Sequence, residues 1–346
     1  MENQPYVSVI LPIRNEENYI TATLETLARQ DYPTHKLEII IADGMSTDKT
    51  RELVAAFIDK NHQLAVTLID NPEQTVPFGL NRAIRSSKGE VIVRMDSHSV
   101  YPAHYISRLV DALFKYNAHN TGGTVKTVAA KDTLKCHAIA TALSHPVGVG
   151  NAYFRIGSSR VREADTVPFG CFRREVFDKI GLFDVEMIRT QDSEFNGRMK
   201  NAGLKILLIP NVEVTYYARD TYRKLYKMYF QYGLYKPLAS LKLGGVPTVR
   251  QLIPLFFVLF LFSGLIWTCI LPILIIPYLA VILLYTGAIG YAAIREASRQ
   301  KRPFVLQLML SFLILHFSYG TGYVKGITAL LLNKRSVFTG KISISR

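Results

Sequence analysis

Apolar residues along this chain fall into short runs in its first part and long unbroken ones near its end. Val7 to Leu11, Leu37 to Ala42, Val66 to Ile69 and Val91 to Val93 are mostly apolar runs of strand length, broken only by Ser8, Glu38 and Thr67. Between them, Asn18 to Arg29, Asp48 to Lys60 and Phe78 to Ser86 place apolar residues at helical spacing. Strands alternating with crossover helices predict a mostly parallel, Rossmann-like α/β sheet with helices on both faces. The strands are mostly apolar rather than alternating, which agrees with burial on both sides.

The long runs predict something else. Residues 251–294 contain no charged side chain, and as one helix they would reach about 66 Å, roughly twice a bilayer's hydrocarbon core. The stretch therefore folds back on itself. Pro272 and Pro277 mark the turn between a span near Leu252 to Leu271 and another near Tyr278 to Ile294. A third stretch, Phe304 to Leu332, carries His316, Lys325 and Gly320-Thr321-Gly322, and admits two placements, a third span or a re-entrant, interfacial segment. Arg295, Arg299, Lys301 and Arg302 read as a cytoplasmic loop, so a full third span would send Lys334, Arg335, Lys341 and Arg346 outside.

At 346 residues the chain has room for one large domain and this appendage. Its start has no basic region, and the first apolar run stops at Pro12 and Arg14, too short for a signal peptide. The large domain is thus expected in the cytoplasm. Cys136, Cys171 and Cys269 show no metal-ligand spacing, which suits a reducing compartment. A net charge of +14 could suggest nucleic acid, but the basic residues concentrate beside the apolar runs, and anionic membrane lipid is the simpler partner. From Thr221 to Lys242, Arg223, Lys224, Lys227, Lys236 and Lys242 alternate with six aromatic residues, a mixture suited to the headgroup layer.

Candidate chemistry sits where strands end. Pro12-Ile13-Arg14-Asn15-Glu16 follows the first strand and Asp43-Gly44-Met45-Ser46-Thr47-Asp48 the second. A carboxylate such as Asp43 can accept from a base imide or a ribose hydroxyl, while Ser46 or Thr47 caps the next helix. Asp96-Ser97-His98, just past the Val91 run, puts a carboxylate and an imidazole two residues apart, a pair able to hold a divalent cation. Asp192 precedes the helical run Glu194 to Asn201, where it also reads as an N-cap. Residues 138–143 and 148–157 are candidates for a mobile acceptor loop.

An ordered series of motifs carries a resemblance. Pro12 to Glu16, the D-G-x-S-T-D turn Asp43 to Asp48, Gly79-Leu80-Asn81-Arg82-Ala83 and Asp96-Ser97-His98 resemble the nucleotide-binding half of family 2 glycosyltransferases, which have the GT-A fold. Pro168 to Phe177, then Gly181-Leu182-Phe183-Asp184 and Gln191-Asp192-Ser193-Glu194, resemble its acceptor half. Within the family, His98 in place of a second Asp and the C-terminal hairpin look most like membrane-attached exopolysaccharide glucosyltransferases of the succinoglycan type.

The resemblance implies a domain order: GT-A at 1–220, an amphipathic interface segment at 221–250, a transmembrane hairpin at 251–294, and at 295–346 a loop, the third apolar stretch and a basic tail. It implies nucleotide contacts by Pro12, Glu16, Asp43, Asn81, Arg82 and Asp96, and Mn²⁺ or Mg²⁺ on Asp96 and His98. Asp192 would be the catalytic base, with Glu194 as its substitute, and Phe169, Gly170, Glu194 and Gln231 would line the sugar and acceptor pocket. The implied reaction is inverting transfer of a sugar, UDP-glucose being the leading donor, to a polyprenyl-diphosphate-linked saccharide at the bacterial inner membrane. Other polysaccharide-assembly proteins would be partners, nucleic acid would not. Transfer to polyprenyl phosphate itself, or a silent scaffold of the same fold, are the alternatives. Processive synthases carry Q-x-x-R-W, and Gln231-Tyr232-Gly233-Leu234-Tyr235 lacks the Arg and Trp, which favours transfer of a single sugar.

Overall fold

In a computed structural model, residues 4–339 are described; the tail residues Lys341 and Arg346 lie outside them. The chain divides into two compact units, one of residues 4–126 with 156–216 and one of residues 127–155 with 217–339.

Down the chain, the first unit runs β1 (Val7–Ile13), α1 (Ile20–Ala28), β2 (Leu37–Asp43), α2 (Thr50–Lys60), β3 (Ala65–Asp70), α3 (Val76–Ser86), β4 (Val91–Arg94), β5 (Ser99–Val100), α4 (Tyr105–Lys115) and β6 (Asn120–Val128). Next come α5 (Leu134–Ala142), α6 (Pro146–Val149) and α7 (Tyr153–Ile156), then β7 (Arg162–Glu163), β8 (Cys171–Arg173), α8 (Glu175–Ile180), α9 (Gln191–Asn201) and β9 (Ile206–Tyr217). The helices α10 (Tyr222–Lys242), α11 (Ile253–Ile270), α12 (Ile275–Gln300) and α13 (Val305–Leu331) complete the second unit.

The sheet is ordered β3-β2-β1-β4-β8-β6-β9-β5, with β7 on β9. β3, β2, β1 and β4 pair in parallel, as strands alternating with crossover helices predict; Val7, Val9, Ile10 and Leu11 are completely buried, whereas β3 at the sheet edge has no buried residue. β8 then runs antiparallel to both β4 and β6. That reversal puts the loop before β8 beside the C-terminal end of β4, so the two sequence halves meet at one sheet edge.

In the helical unit, three stretches are long and apolar enough to cross a membrane, Val249–Ile270, Pro272–Gln300 and Val305–Leu331. Pro272 lies in the turn, whereas Pro277 stands inside the first turn of α12, where its missing N–H has no intrahelical partner to lose. The third apolar stretch is one unbroken helix, not a re-entrant fold. Its glycines explain this: a Cβ at Gly322 would lie 2.2 Å from the carbonyl oxygen of Phe230, and one at Gly326 2.4 Å from that of Leu234. α13 thus lies backbone to backbone on α10, which buries Tyr229, Gln231, Leu234, Tyr235 and even Lys236. The segment expected at the headgroup layer is therefore largely packed inside the unit. Ala138 to Leu143, a candidate for a mobile loop, is a buried helix in the same core as Phe304, Leu308 and Phe312 of the α13 region.

The polar group within α13 is satisfied. His316 Nε2 lies 2.8 Å from the carbonyl oxygen of Val147 and Nδ1 lies 2.8 Å from the Tyr285 hydroxyl. A carbonyl only accepts, so Nε2 carries a proton, and the Tyr285 hydroxyl partners Nδ1.

Candidate active site

The loops after β1 and β2 are sewn together at the sheet's C-terminal edge. The backbone N–H of Asn15 donates to Ser46 Oγ at 2.9 Å, that of Thr47 to Asn15 Oδ1 at 2.8 Å, and that of Glu16 to Thr50 Oγ1 at 2.7 Å. Asp48 joins them by accepting from the Glu17 and Thr50 backbones. Burial pushes the Asp48 carboxyl up, but these bonds outweigh it and hold the group below the ordinary carboxylate value. Asp43 is completely buried: it accepts from the Ser46 hydroxyl at 2.5 Å, the Ser46 N–H at 3.0 Å and Arg51 at 2.7 Å. Its carboxylate organises the turn rather than facing an open groove. Pro12 is buried in β1 opposite Ala42, and Glu16 is 1% exposed with its carbonyl taking the N–H groups of Tyr19 and Ile20.

At the end of β4 the two halves converge on Arg94. Its Nε and Nη2 donate to the two carboxylate oxygens of Asp96 at 3.1 and 3.2 Å, and Nη1 donates to Asp192 Oδ1. Burial works against this guanidinium's charge, but Asp192 and Asp96 outweigh it and raise its pKa above the usual value. The Asp96 backbone N–H donates to the Tyr101 hydroxyl at 2.7 Å, and burial pushes that phenol far up, keeping it neutral. His98 turns its ring edge-on to Tyr216 at 5.9 Å. Asp192 lies in the first turn of α9, past Thr190, and not at the N-cap.

Several predicted pocket residues prove to be braces. Asn81 is 4% exposed and exchanges two hydrogen bonds with the Phe183 backbone, at 2.8 and 3.0 Å, joining α3 to the Gly181–Asp184 motif. Arg82 pairs with Glu73 at the surface. Glu194 is 2% exposed and bound by both oxygens to Arg198, which also donates to the carbonyls of Ile180 and Leu182. A substitute base would have to leave that clamp. At Gly170 a Cβ would lie 2.4 Å from the Phe172 ring and 2.5 Å from Asn120 Oδ1, so the protein's own packing demands the glycine. Phe169 is held at φ 48° while its carbonyl accepts from Tyr105 at 2.6 Å. Gln231 belongs to the helical unit.

Asn15, Met45, Phe169 and Thr190 all have positive φ, and all four lie in these loops. Such backbone in non-glycine residues costs of order 1–3 kcal/mol each and collects at functional sites. Arg94, Arg51, Arg198 and Tyr101 escaped sequence reasoning, because each acts through a partner that topology alone brings near.

Among the described residues no three His, Cys, Asp or Glu side chains form a metal cluster. Asp96, both of whose oxygens accept from Arg94, and His98 are an oxygen and a nitrogen ligand type, two of the several ligands a divalent cation takes.

The sequence profile described as Glycosyl transferase family 2 matches residues 8–181. The chain is 25% identical over 93% of its length to a Methanococcus voltae enzyme, covering 97% of it, whose name is dolichyl N-acetyl-alpha-D-glucosaminyl phosphate 3-beta-D-2,3-diacetamido-2,3-dideoxy-beta-D-glucuronosyltransferase. It is 26% identical over 91% of its length to the succinoglycan biosynthesis protein ExoA of Rhizobium meliloti, covering 93% of that protein. Among solved structures, the mannosyltransferase PcManGT of Pyrobaculum calidifontis, in complex with GDP-Man and Mn²⁺, superposes with a TM-score of 0.57 at 21% identity, over 90% of this chain and 87% of the other. That likeness supports the GT-A fold. With the profile covering half its length, the chain belongs to glycosyl transferase family 2 and is a glycosyltransferase.

Proposed function

We propose that this enzyme transfers one sugar, with inversion, from a nucleotide-sugar donor to a saccharide carried on a polyprenyl diphosphate, during assembly of a surface polysaccharide at the cytoplasmic face of the bacterial inner membrane. UDP-glucose is the proposed donor. The observation that carries the reading is the meeting of Asp96, from the donor-side motif, with Asp192, from the acceptor-side motif, on one buried guanidinium. The membrane-length helices and the names of the Methanococcus and Rhizobium relatives support a lipid-borne acceptor and a polysaccharide product.

In this mechanism Asp192 accepts the proton of the acceptor hydroxyl as that oxygen attacks the anomeric carbon, and the bond to the diphosphate breaks on the opposite face. No covalent enzyme intermediate is needed. Asp96 and His98 would hold a divalent cation that neutralises the leaving diphosphate. The sewn loops of Pro12, Glu16 and Asp43 form the nucleotide wall, with Asp43 acting through the turn it fixes. Phe169 and Gly170 border the sugar, and the hairpin of residues 251–294 tethers the enzyme beside its acceptor.

The test is a donor screen on detergent-purified protein with a lipid extract, reading released nucleoside diphosphate with and without Mn²⁺. Asp192→Asn is expected to lower kcat by about 10²–10⁴-fold while calorimetry still shows donor binding. Product found on polyprenyl phosphate, rather than on a lipid-linked saccharide, would replace the acceptor assignment.

A further inference from the structure

Arg94 is 3% exposed at the end of a strand that is otherwise apolar. Burying a guanidinium is unfavourable unless its donors are met, and nothing in the sheet's packing calls for one. Its backbone already serves the fold, donating to the Gly170 carbonyl at 2.9 Å. Its side chain reaches two acids from distant parts of the chain, Asp96 two residues on and Asp192 98 residues on.

We infer that Arg94 is a positioning residue for glycosyl transfer: its planar fork fixes the spacing and angle between the donor-side carboxylate and the base. The inference rests on the reading of Asp192 as base. Only a guanidinium offers several donors in a rigid plane, and a lysine ammonium would act as a point charge on one partner. Nor does α9 need Arg94 to stay in place. Asn196 is bonded to Asn120 at 2.9 Å, Arg198 is tied to two carbonyls, and Phe195 stacks on Phe183 at 4.4 Å. What Arg94 adds is the placement of one carboxylate. The acceptor's proton goes to the Asp192 carboxylate as the new C–O bond forms and the diphosphate leaves with its electron pair. A misplacement of about 1 Å at this point costs about 10²-fold in rate.

The experiment compares Arg94→Lys, Asp192→Asn and the double variant in the metal-loaded transfer assay, with melting curves for each. Arg94→Lys is expected to lower kcat by about 10²-fold with little change in donor KM and a wild-type melting transition. In the Asp192→Asn background, the same change should leave the residual rate nearly unaltered, since residues acting as one unit are not additive. Arg94→Gln repeats the comparison where Arg94→Lys loses its melting transition. Wild-type kcat in the folded single variant, or a full further loss in the double, overturns the inference. Wild-type kcat in Asp192→Asn removes the base assignment itself, and this inference with it, so the two failures are told apart.

Discussion

Where α3 meets the loop after α8, a side-chain amide makes the junction, Asn81 giving and taking one hydrogen bond with the Phe183 backbone. Where α13 meets α10 the closest points are glycines against backbone, Gly322 and Gly326 against the carbonyls of Phe230 and Leu234, and Gly233 against that of Tyr319. The two junctions respond to different forces. In the α/β unit, buried polar groups must find partners, and directed bonds fix geometry to a fraction of an ångström. α13 is apolar and of membrane length, α10 is a mixed aromatic and basic helix, and where they meet the close approach of backbones supplies the association. Chemistry accordingly gathers in the unit where directional bonds hold the loops, and the other unit is built for packing.

The comparison breaks most severely at Gly322. Gly322→Val puts branched carbons into the Phe230 carbonyl, and the helical unit is expected to lose more than about 3 kcal/mol, beyond ordinary overpacking; a lowered melting temperature in detergent and new proteolytic cuts in residues 222–331 would report it. Asn81→Ala leaves the Phe183 N–H and carbonyl unsatisfied and should cost about 3 kcal/mol in chemical denaturation. A raised donor KM at unchanged stability would instead make Asn81 a diphosphate contact and not a brace. For Glu194→Gln the expectation is a loss of about 2 kcal/mol, because the Arg198 clamp is charge-assisted and partly exposed, with kcat close to wild type. A large fall in kcat there would make Glu194 a base after all. Smallest is Thr190→Gly, which removes the penalty of a β-branched residue at φ 58° and should stabilise by about 1 kcal/mol, while a looser entry to α9 slows turnover.

The parallel half of the sheet was legible in sequence because β1, β2 and β4 are mostly apolar runs and their loops carry recognisable polar motifs. β5 and β7 have two residues each, and β8 three, too few for any period to show. Their existence depends on partners from distant segments, Ser99 on Tyr216 and Arg162 on Leu208. The same distance hid Arg94. Read along the chain it is a polar residue closing a strand, and its meaning appears only when β8 reverses direction and brings α9 near. The glycines of α13 misled for a related reason, since residues that weaken an isolated helix become requirements once a second backbone lies against them. Asp96 and Asp192 were legible as acids worth noticing, and their common partner was not.

His316 shows what a polar atom can do where most contacts are oily. Leucines slide past one another with little preference, and a helix that slips by one residue turns its face by about 100°. The imidazole of His316 meets the Tyr285 hydroxyl and the Val147 carbonyl in one rotational setting only, so it works as a key cut for a single register of α13 against α12 and α6. What it contributes is uniqueness of assembly.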